Sequence, residues 1–330
     1  MQSTVLDHTG VASTPAASIA TPAPARRRGG VRRRRPTRVG ETRPPRGAGW
    51  AIALSLLPAL LVFATFFLVP LGMLVVTSLG DWGGAGFDYV GLANFKTMLA
   101  DDTFWKAAKN TLSYCFFGLA IQLPLGVLVG IMLSERLPGW RVFRAIIFVP
   151  FMISGAAYAL IFALFYNADH GLLNSVIHTL GLGEGGDWLY TSSSALPAVA
   201  GTFVFIVGFN AILTMAEIAA IPRALYEAAE LDGASVFQRH RLLTLPLLRN
   251  VVGTLVLITL LGYLAMFDVV FILTAGGPDN ATVTLTLYAY RAYQAGSWGY
   301  ANAVGVTIVL IGLLLIVGAR RAFRIGERTL

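Results

Sequence analysis

The chain has 330 residues, of which 56% are hydrophobic and only 13% are charged, and its mean hydropathy is +0.68. One soluble core could not bury so much apolar surface, so a single soluble enzyme domain is excluded. The formal net charge of +8 lies in blocks between apolar runs, which argues against a basic nucleic-acid-binding surface. The one cysteine, Cys115, excludes an intrachain disulfide and a cysteine metal cluster.

Six long runs without charged side chains predict six membrane-spanning helices. Crossing roughly 30 Å of hydrocarbon at about 1.5 Å per residue takes about 20 mostly apolar residues. The runs are residues 47–80, 110–134, 145–168, 188–216, 250–267 and 292–319. The fifth continues past Asp268 to residue 273. Helices are favoured over strands because the runs lack alternating polarity, so the predicted fold class is an all-α membrane protein.

The Lys and Arg residues predict the orientation of these helices. Twenty-one of the 25 lie in the two terminal tails and in the segments after the second and fourth runs. Because cytoplasmic loops retain positive charge, both termini are expected in the cytoplasm. The preference for Arg (22) over Lys (3), with abundant Ala and Gly, suggests a bacterial protein and so a bacterial plasma membrane. Residues 1–46, rich in Ala, Thr, Pro and Arg, predict a disordered cytoplasmic tail that is attracted to anionic membrane lipid. Residues 47–330 then form one membrane domain.

The longest internal cytoplasmic segment, about residues 217–249, contains the sequence IPRALYEAAELDGASVFQRHRLLTLPLL. Pro222 suits a first helical turn, LYEAAEL holds strong helix formers, and Gly233 can adopt the positive φ that ends a helix. We expect a short two-sided helix along the membrane surface, followed by a second short helix toward Pro246. From the residues alone, the segment is either a functional helix or a connecting loop.

Glu227, Ala228 and Ala229, followed at fixed spacing by Gly233 and by Leu-Thr-Leu-Pro, resemble the EAA loop of the membrane subunits of ABC importers. The resemblance implies the type I ABC importer permease fold and a coupling helix that docks on a separate ATP-binding subunit, two of which belong to the importer. Glu227 would contact the ATPase, the two alanines would permit close approach, and Gly233 would set the turn. ATP and Mg²⁺ would belong to those partners, because this chain has no GxxxxGK[ST] run. We therefore expect a transport subunit that is not an enzyme and has no cofactor of its own.

The stretches FDVVFILTAGGPDNAT and SWGYANAVGV resemble the carbohydrate-uptake branch of these permeases, the maltose-permease type. That resemblance implies a sugar substrate, a heterodimer with a second permease subunit, and an extracytoplasmic sugar-binding protein. By ungapped correspondence with the maltose type, the substrate-binding positions would be Thr259, Gly262, Tyr263, Met266, Phe205 and Phe209. The first four are spaced to share one face of the fifth helix, and ordinary packing is the alternative for each.

Asp268 is the one charged side chain inside a predicted span, where an ionisable group is by default functional or paired. Its place near the outer interface favours a gate or a polar partner beneath the GGP loop over proton coupling. His170 and His178 have no ligand-spaced partners, so no metal site is predicted.

Two alternatives to sugar import stay open. One is ABC import of another solute, such as glycerol phosphate, a polyamine or a peptide. The fourth and fifth runs lack the cationic residues that a phosphate would need, which favours a neutral ligand. The other is gradient-driven secondary transport, which the EAA loop and the lack of an inverted repeat disfavour.

Overall fold

The computed structural model describes residues 48–84 and 86–323. The chain divides into two units, the first ending at Pro58 and the second beginning at Ala59. Of the first unit, residues 48–58 are described, and they are helical. The predicted disordered tail, residues 1–46, lies outside the described residues.

Helices make up nearly all of the regular structure in these ranges. The first ones are α1 (Ala48–Phe63), α2 (Val69–Ser78), α3 (Ala93–Ala100), α4 (Asp102–Phe117), α5 (Leu123–Ser134), α6 (Trp140–Met152), α7 (Gly155–Phe165), α8 (Leu172–Thr179) and α9 (Ala195–Thr202). The later ones are α10 (Gly208–Ala220), α11 (Arg223–Leu231), α12 (Val236–Arg239), α13 (Leu245–Leu247), α14 (Arg249–Leu264), α15 (Asp268–Thr274), α16 (Leu285–Gln294) and α17 (Trp298–Phe323).

Short irregular turns join several of these helices without ending them. π-helical turns occupy Ala64–Leu68, Gly118–Gln122 and His240–Thr244, and a 3-10 turn occupies Phe203–Ile206. Two strands, β1 (Gly80–Asp81) and β2 (Asp88–Tyr89), pair antiparallel with Gly80 opposite Tyr89. The predicted all-α class is therefore confirmed.

Four continuous helices in the described ranges are long and apolar enough to span a membrane: Ala53–Ser78, Asp102–Ser134, Ala195–Ala220 and Trp298–Phe323. Two pairs of helices are apolar enough only when taken together, and each pair is bent at a short break: Trp140–Met152 with Gly155–Phe165, and Val236–Leu247 with Arg249–Leu264. Counting each bent pair as one span gives the six that the apolar runs predict.

The third predicted span is not one straight helix. Its two halves, α6 and α7, meet at an angle of 103°. Ile153 and Ser154 are extended there, and the Ser154 side chain accepts a hydrogen bond from the Ala157 backbone N–H at 3.3 Å. Ser154 is thus an N-cap that begins a new helix, and Pro150 cannot donate to the preceding turn.

The fifth predicted span also ends earlier than expected. Helix α14 stops at Leu264 and α15 begins at Asp268, so the prediction of one helix to residue 273 is wrong. The carbonyl of Met266 lies in this gap and accepts hydrogen bonds from the Thr284 and Thr286 hydroxyls at 3.1 and 2.5 Å. These hydroxyls satisfy a carbonyl that a continuous helix would have used, which stabilises the interruption.

Glycines allow the helices of the second unit to pack closely. A Cβ on Gly126 would lie 2.4 Å from the Asn210 Cβ, and one on Gly130 would lie 2.6 Å from the Ala211 carbonyl oxygen. Helices α5 and α10 therefore approach along a small-xxx-small stripe of the kind that brings membrane helices together. The surrounding buried side chains include Tyr114 of α4 and come also from α14, α15 and α17.

Candidate functional site

The predicted coupling segment forms a helix whose two ends lie at the predicted residues, Pro222 and Gly233. Helix α11 begins after Pro222, and Gly233 has a φ of +78°, which confirms its predicted role in ending the helix. Glu227 and Ala228 are exposed, and Ala229 is half-buried. Three of the predicted ATPase-coupling residues, Glu227, Ala228 and Ala229, therefore lie together on a short helix, and Gly233 lies just past its end.

A hydrogen-bonded chain connects α11 to the end of α5. The Tyr226 hydroxyl and the His240 Nδ1 lie 3.0 and 3.2 Å from the Thr244 hydroxyl, and the His240 Nε2 lies 2.9 Å from a Glu135 carboxylate oxygen. Thr244 is fully buried, so its hydroxyl holds both partners in fixed places. Helix α11 is therefore connected through Thr244 and His240 to Glu135 at the end of α5.

A cavity of about 620 Å³, here named the α11 cavity, opens beside this chain. Its walls come from α11, the end of α10 and the segment between α5 and α6. The lining residues are Ser134, Glu135, Arg136, Trp140, Arg144, Met215, Ala216, Ile218, Ala219, Ile221, Arg223, Tyr226, Glu227, Glu230, Arg239 and His240.

A second cavity of about 220 Å³, here named the amide cavity, lies among the spanning helices. Its lining residues are Gln122, Phe151, Phe203, Ile206, Phe209, Asn210, Ile258, Thr259, Gly262 and Tyr263. They combine two amides and two hydroxyls with three phenylalanines, and the lining set contains no charged side chain. Such a surface suits a neutral ligand that has both hydroxyl groups and apolar faces.

The polar side chains of the amide cavity are held by defined contacts. The Tyr263 hydroxyl donates to the Gln122 Oε1 at 3.0 Å, and the Gln122 Nε2 donates to the Ile206 carbonyl at 3.4 Å. The rings of Phe151 and Phe209 stack at a centroid distance of 5.0 Å. Two polar groups and a stacked aromatic pair are thus fixed before any ligand enters.

Glycine makes room on both sides of Tyr263. A Cβ on Gly118 would lie 2.1 Å from the Tyr263 ring, so only glycine allows the ring to take this place. A Cβ on Gly262, in contrast, would meet no heavy atom within 4 Å. Gly262 therefore leaves free space at the cavity wall, which a larger side chain would occupy.

The structure brings together four of the six predicted substrate positions: Thr259, Gly262, Tyr263 and Phe209 all line the amide cavity. The other two do not line it. Phe205 is exposed and packs on Phe162 at a centroid distance of 5.4 Å. Met266 lies beyond the end of α14, so the prediction that it shares a helix face with Thr259 is wrong.

Sequence reasoning missed the six other lining residues, of which Gln122 and Asn210 are the most informative. Both are amides inside apolar spans, and a polar side chain in such a place is a signal of function. Phe151 and Phe203 gave no comparable signal, because phenylalanine is common throughout the apolar runs.

Asp268 is exposed at the first turn of α15, rather than paired in the protein interior. A Cβ on Gly155 would lie 3.0 Å from its Oδ2, so the carboxylate lies directly beside the start of α7. Asp268 therefore borders the 103° bend in the third span and is not in the amide cavity.

The GGP loop is held by hydrogen bonds from neighbouring helices. The Arg291 guanidinium donates to the Asn280 Oδ1 and the Ala275 carbonyl, both at 2.6 Å. The Asn110 side chain donates to the carbonyls of Asn280 and Val283, and Lys106 donates to that of Asp279. These contacts join the loop to α4 and α16.

A carboxyl–phenol pair lies near the same end. The Tyr288 hydroxyl donates to the Asp101 carboxylate at 2.5 Å, and the Tyr300 hydroxyl is 2.6 Å from that of Tyr288. Burial alone would raise the pKa of Asp101, but the hydrogen bonds from Tyr288 and from the Thr103 backbone outweigh it and lower the pKa below 3.8. Burial and the same carboxylate raise the pKa of Tyr288.

An uncharged cavity between bent spans, with a short exposed helix between the fourth and fifth spans, is the arrangement of a membrane transport subunit. Residues 122–328 match the family described as binding-protein-dependent transport system inner membrane component. The chain belongs to this family, whose members are transport subunits of ABC importers with the type I fold.

The relatives of this chain include permeases named for the uptake of sugars. The chain is 36% identical over 231 residues to the trehalose/maltose transport system permease protein MalF of Thermococcus litoralis, covering 69% of this chain and 78% of that one. It is 35% identical over 273 residues to the diacetylchitobiose uptake system permease protein NgcF of Streptomyces coelicolor, covering 77% of each.

The fold also matches a solved transporter. A chain in the crystal structure of a bacterial alginate ABC transporter, in complex with an alginate pentasaccharide-bound periplasmic protein, has a TM-score of 0.75 and 25% identity. The match covers 84% of this chain and 97% of that one. The type I permease fold implied by the EAA loop is therefore confirmed.

Proposed function

We propose that this chain forms part of the translocation path for a neutral carbohydrate in an ATP-driven importer. The observation that carries the proposal is the amide cavity, whose lining joins the amides of Gln122 and Asn210 to a stacked pair of phenylalanines. Sugar hydroxyls pair with amides, and the apolar face of a sugar ring packs on aromatic rings. The relatives named for trehalose, maltose and diacetylchitobiose support the same substrate class.

The working assembly contains other subunits. A second permease subunit completes the path as a heterodimer, two ATP-binding subunits bind ATP and Mg²⁺, and an extracytoplasmic binding protein delivers the sugar. Both termini and α11 face the cytoplasm of a bacterial plasma membrane, and the GGP loop faces outward. The charge distribution of the loops supports this orientation, because 21 of the 25 Lys and Arg residues then lie inside.

Coupling to ATP hydrolysis takes place at α11. Glu227 contacts the ATPase, Ala228 and Ala229 permit close approach, and Gly233 fixes the exit of the chain from the helix. Motion of α11 then reaches α5 through the Thr244 hydroxyl and the His240–Glu135 contact at 2.9 Å. Asp268, at the bend of the third span, serves as a gate or polar partner near the outer end of the path.

The coupling proposal is tested by ATPase measurements on the assembled complex. This chain is co-expressed with the neighbouring permease and ATPase genes, purified, and assayed with sugar-loaded binding protein. Glu227→Ala is expected to abolish the sugar-dependent stimulation, either by uncoupling the assembly or by losing the ATPase. Glu184→Ala, which removes an exposed carboxylate elsewhere, is the matched control and should retain it. Association with no ATPase would overturn the importer and favour a gradient-driven transporter.

The cavity proposal is tested by filling the amide cavity. Gly262→Leu places a side chain in free space, so it should block sugar uptake in proteoliposomes without impairing assembly. Gly318→Leu is the control, because a Cβ there also meets no atom within 4 Å but does not line the cavity. Equal uptake by the two variants would contradict the path, and stimulation by glycerol phosphate or a polyamine in place of sugar would contradict the substrate class.

A further inference from the structure

Three arginines surround a single indole at the start of α6. The guanidinium carbons of Arg136, Arg141 and Arg144 lie 5.9, 5.7 and 5.1 Å from the centroid of the Trp140 ring. Each distance is within the range of a cation–π contact, and the shared ring gathers three positive charges into a small volume.

These charges have no carboxylate within 4.0 Å among the residues that the structure describes. Like charges held so close repel each other, and the positive end of the α6 dipole adds to their field. Arg136 also has a φ of +50°, a backbone conformation that costs energy for a residue with a Cβ. An anion bound among the arginines would offset this repulsion.

The cluster faces the α11 cavity through Arg136, Trp140 and Arg144. Two of the acids that line this cavity already have partners, since Glu135 contacts His240 at 2.9 Å and Glu230 contacts Arg239 at 3.3 Å. The lining contains four arginines, Arg136, Arg144, Arg223 and Arg239, and three acids, Glu135, Glu227 and Glu230. The cavity therefore has a net positive lining around the cluster.

The surroundings of the cluster are those of a membrane interface. Val142 and Ile146 of α6 are 66% and 63% exposed, and Met215 and Ile218 form an apolar part of the cavity wall. A tryptophan beside arginines at the end of an apolar helix is typical of the headgroup level of a bilayer. A ligand here meets positive charge at one end and apolar side chains at the other.

We infer that this cluster binds the phosphate of an anionic phospholipid, with Arg136 and Arg144 on the phosphate oxygens and an acyl chain along Met215 and Ile218. In the orientation proposed above, the site lies in the inner leaflet, which carries anionic lipid. Because the α11 cavity also contains Tyr226 and Glu227 of the coupling helix, the bound lipid stabilises the placement of that helix.

The test is lipid retention by the complete complex, purified in a neutral detergent and measured by native mass spectrometry. Phosphatidylglycerol and phosphatidylcholine are titrated into the wild type and into Arg136→Gln/Arg144→Gln. The double variant should bind phosphatidylglycerol at least about tenfold more weakly, because it loses two charge-assisted contacts. Phosphatidylcholine should bind weakly to both proteins, because the arginines repel its choline cation. Arg249→Gln, which removes an exposed arginine that does not line the cavity, should bind both lipids like the wild type.

Three results would overturn the inference. One is equal retention of phosphatidylglycerol by the wild type and the double variant. Another is displacement of the lipid from the wild type by excess inorganic phosphate, which would assign the site to a free anion. The third is loss of the ATPase from the variant with lipid binding unchanged, which would assign the arginines to subunit docking.

If the double variant does not assemble, Arg136→Gln and Arg144→Gln are titrated singly, and each should weaken phosphatidylglycerol binding. None of these outcomes depends on whether the substrate is a sugar.

Discussion

Replacing Tyr263 by phenylalanine removes one buried hydroxyl and the hydrogen bond that it donates to the Gln122 Oε1 at 3.0 Å. A net hydrogen bond is worth about 1 kcal/mol, and a buried acceptor left without a partner costs about 1–3 kcal/mol. Both residues are buried, so we expect Tyr263→Phe to destabilise the complex by about 1–3 kcal/mol. The measurement is the unfolding midpoint of the purified complex, in temperature or in denaturant.

The chain provides a matched control in Tyr114, whose buried hydroxyl has no hydrogen-bond partner among the described residues. Tyr114→Phe removes the same atom without breaking a hydrogen bond, so its midpoint should equal or exceed that of the wild type. Combining Tyr263→Phe with Gln122→Met should cost less than the two single changes added together, because neither the Tyr263 hydroxyl nor the Gln122 Oε1 is then left without its partner. Equal midpoints for the two phenylalanine variants would refute this account of the amide cavity.

Three further changes test other parts of the fold. Gly130→Leu should prevent α5 from packing on α10 and so lower the yield of folded complex in size-exclusion chromatography, whereas Gly318→Leu should not. Arg291→Gln should expose the GGP loop to added protease while the rest of the chain stays protected, because the loop loses two hydrogen bonds of 2.6 Å. Asp101 has a lowered pKa, so its contact with Tyr288 stabilises the fold above the ordinary value of 3.8, and this contribution is lost as the pH falls through the lower folded value. Asp101→Asn should therefore lose less stability than the wild type over that acid range.

The number of spans could be predicted from sequence because one requirement dominates it. The membrane core excludes charged side chains from each stretch of about 20 residues that crosses it. Each span is therefore visible in the sequence as an apolar run. The α11 helix could be predicted equally well, because Pro222 and Gly233 are local signals that do not depend on distant parts of the chain. Both predictions rest on short-range chemistry.

The interruptions within spans could not be predicted in the same way. The gap after α14 is stabilised by the hydroxyls of Thr284 and Thr286, which lie 18 and 20 residues beyond the Met266 carbonyl that they satisfy. The ungapped correspondence that named Met266 as a substrate position carried no information about this gap. It did place Thr259 and Tyr263 in the cavity, because both precede the interruption.

Helix irregularities surround the amide cavity, and physical chemistry explains why they occur there. A regular helix satisfies its own backbone groups and has little to offer a polar ligand within the membrane. The π-helical turn Gly118–Gln122 and the 3-10 turn Phe203–Ile206 both contribute lining residues, and Phe151 stands next to the end of α6. Where these two turns meet, the Ile206 carbonyl accepts a hydrogen bond from the Gln122 Nε2. The Gln122 Oε1 in turn accepts a hydrogen bond from the Tyr263 hydroxyl. Polar groups therefore lie on the proposed path because the helices depart there from regular geometry. The pattern of apolar residues in the sequence does not show these departures.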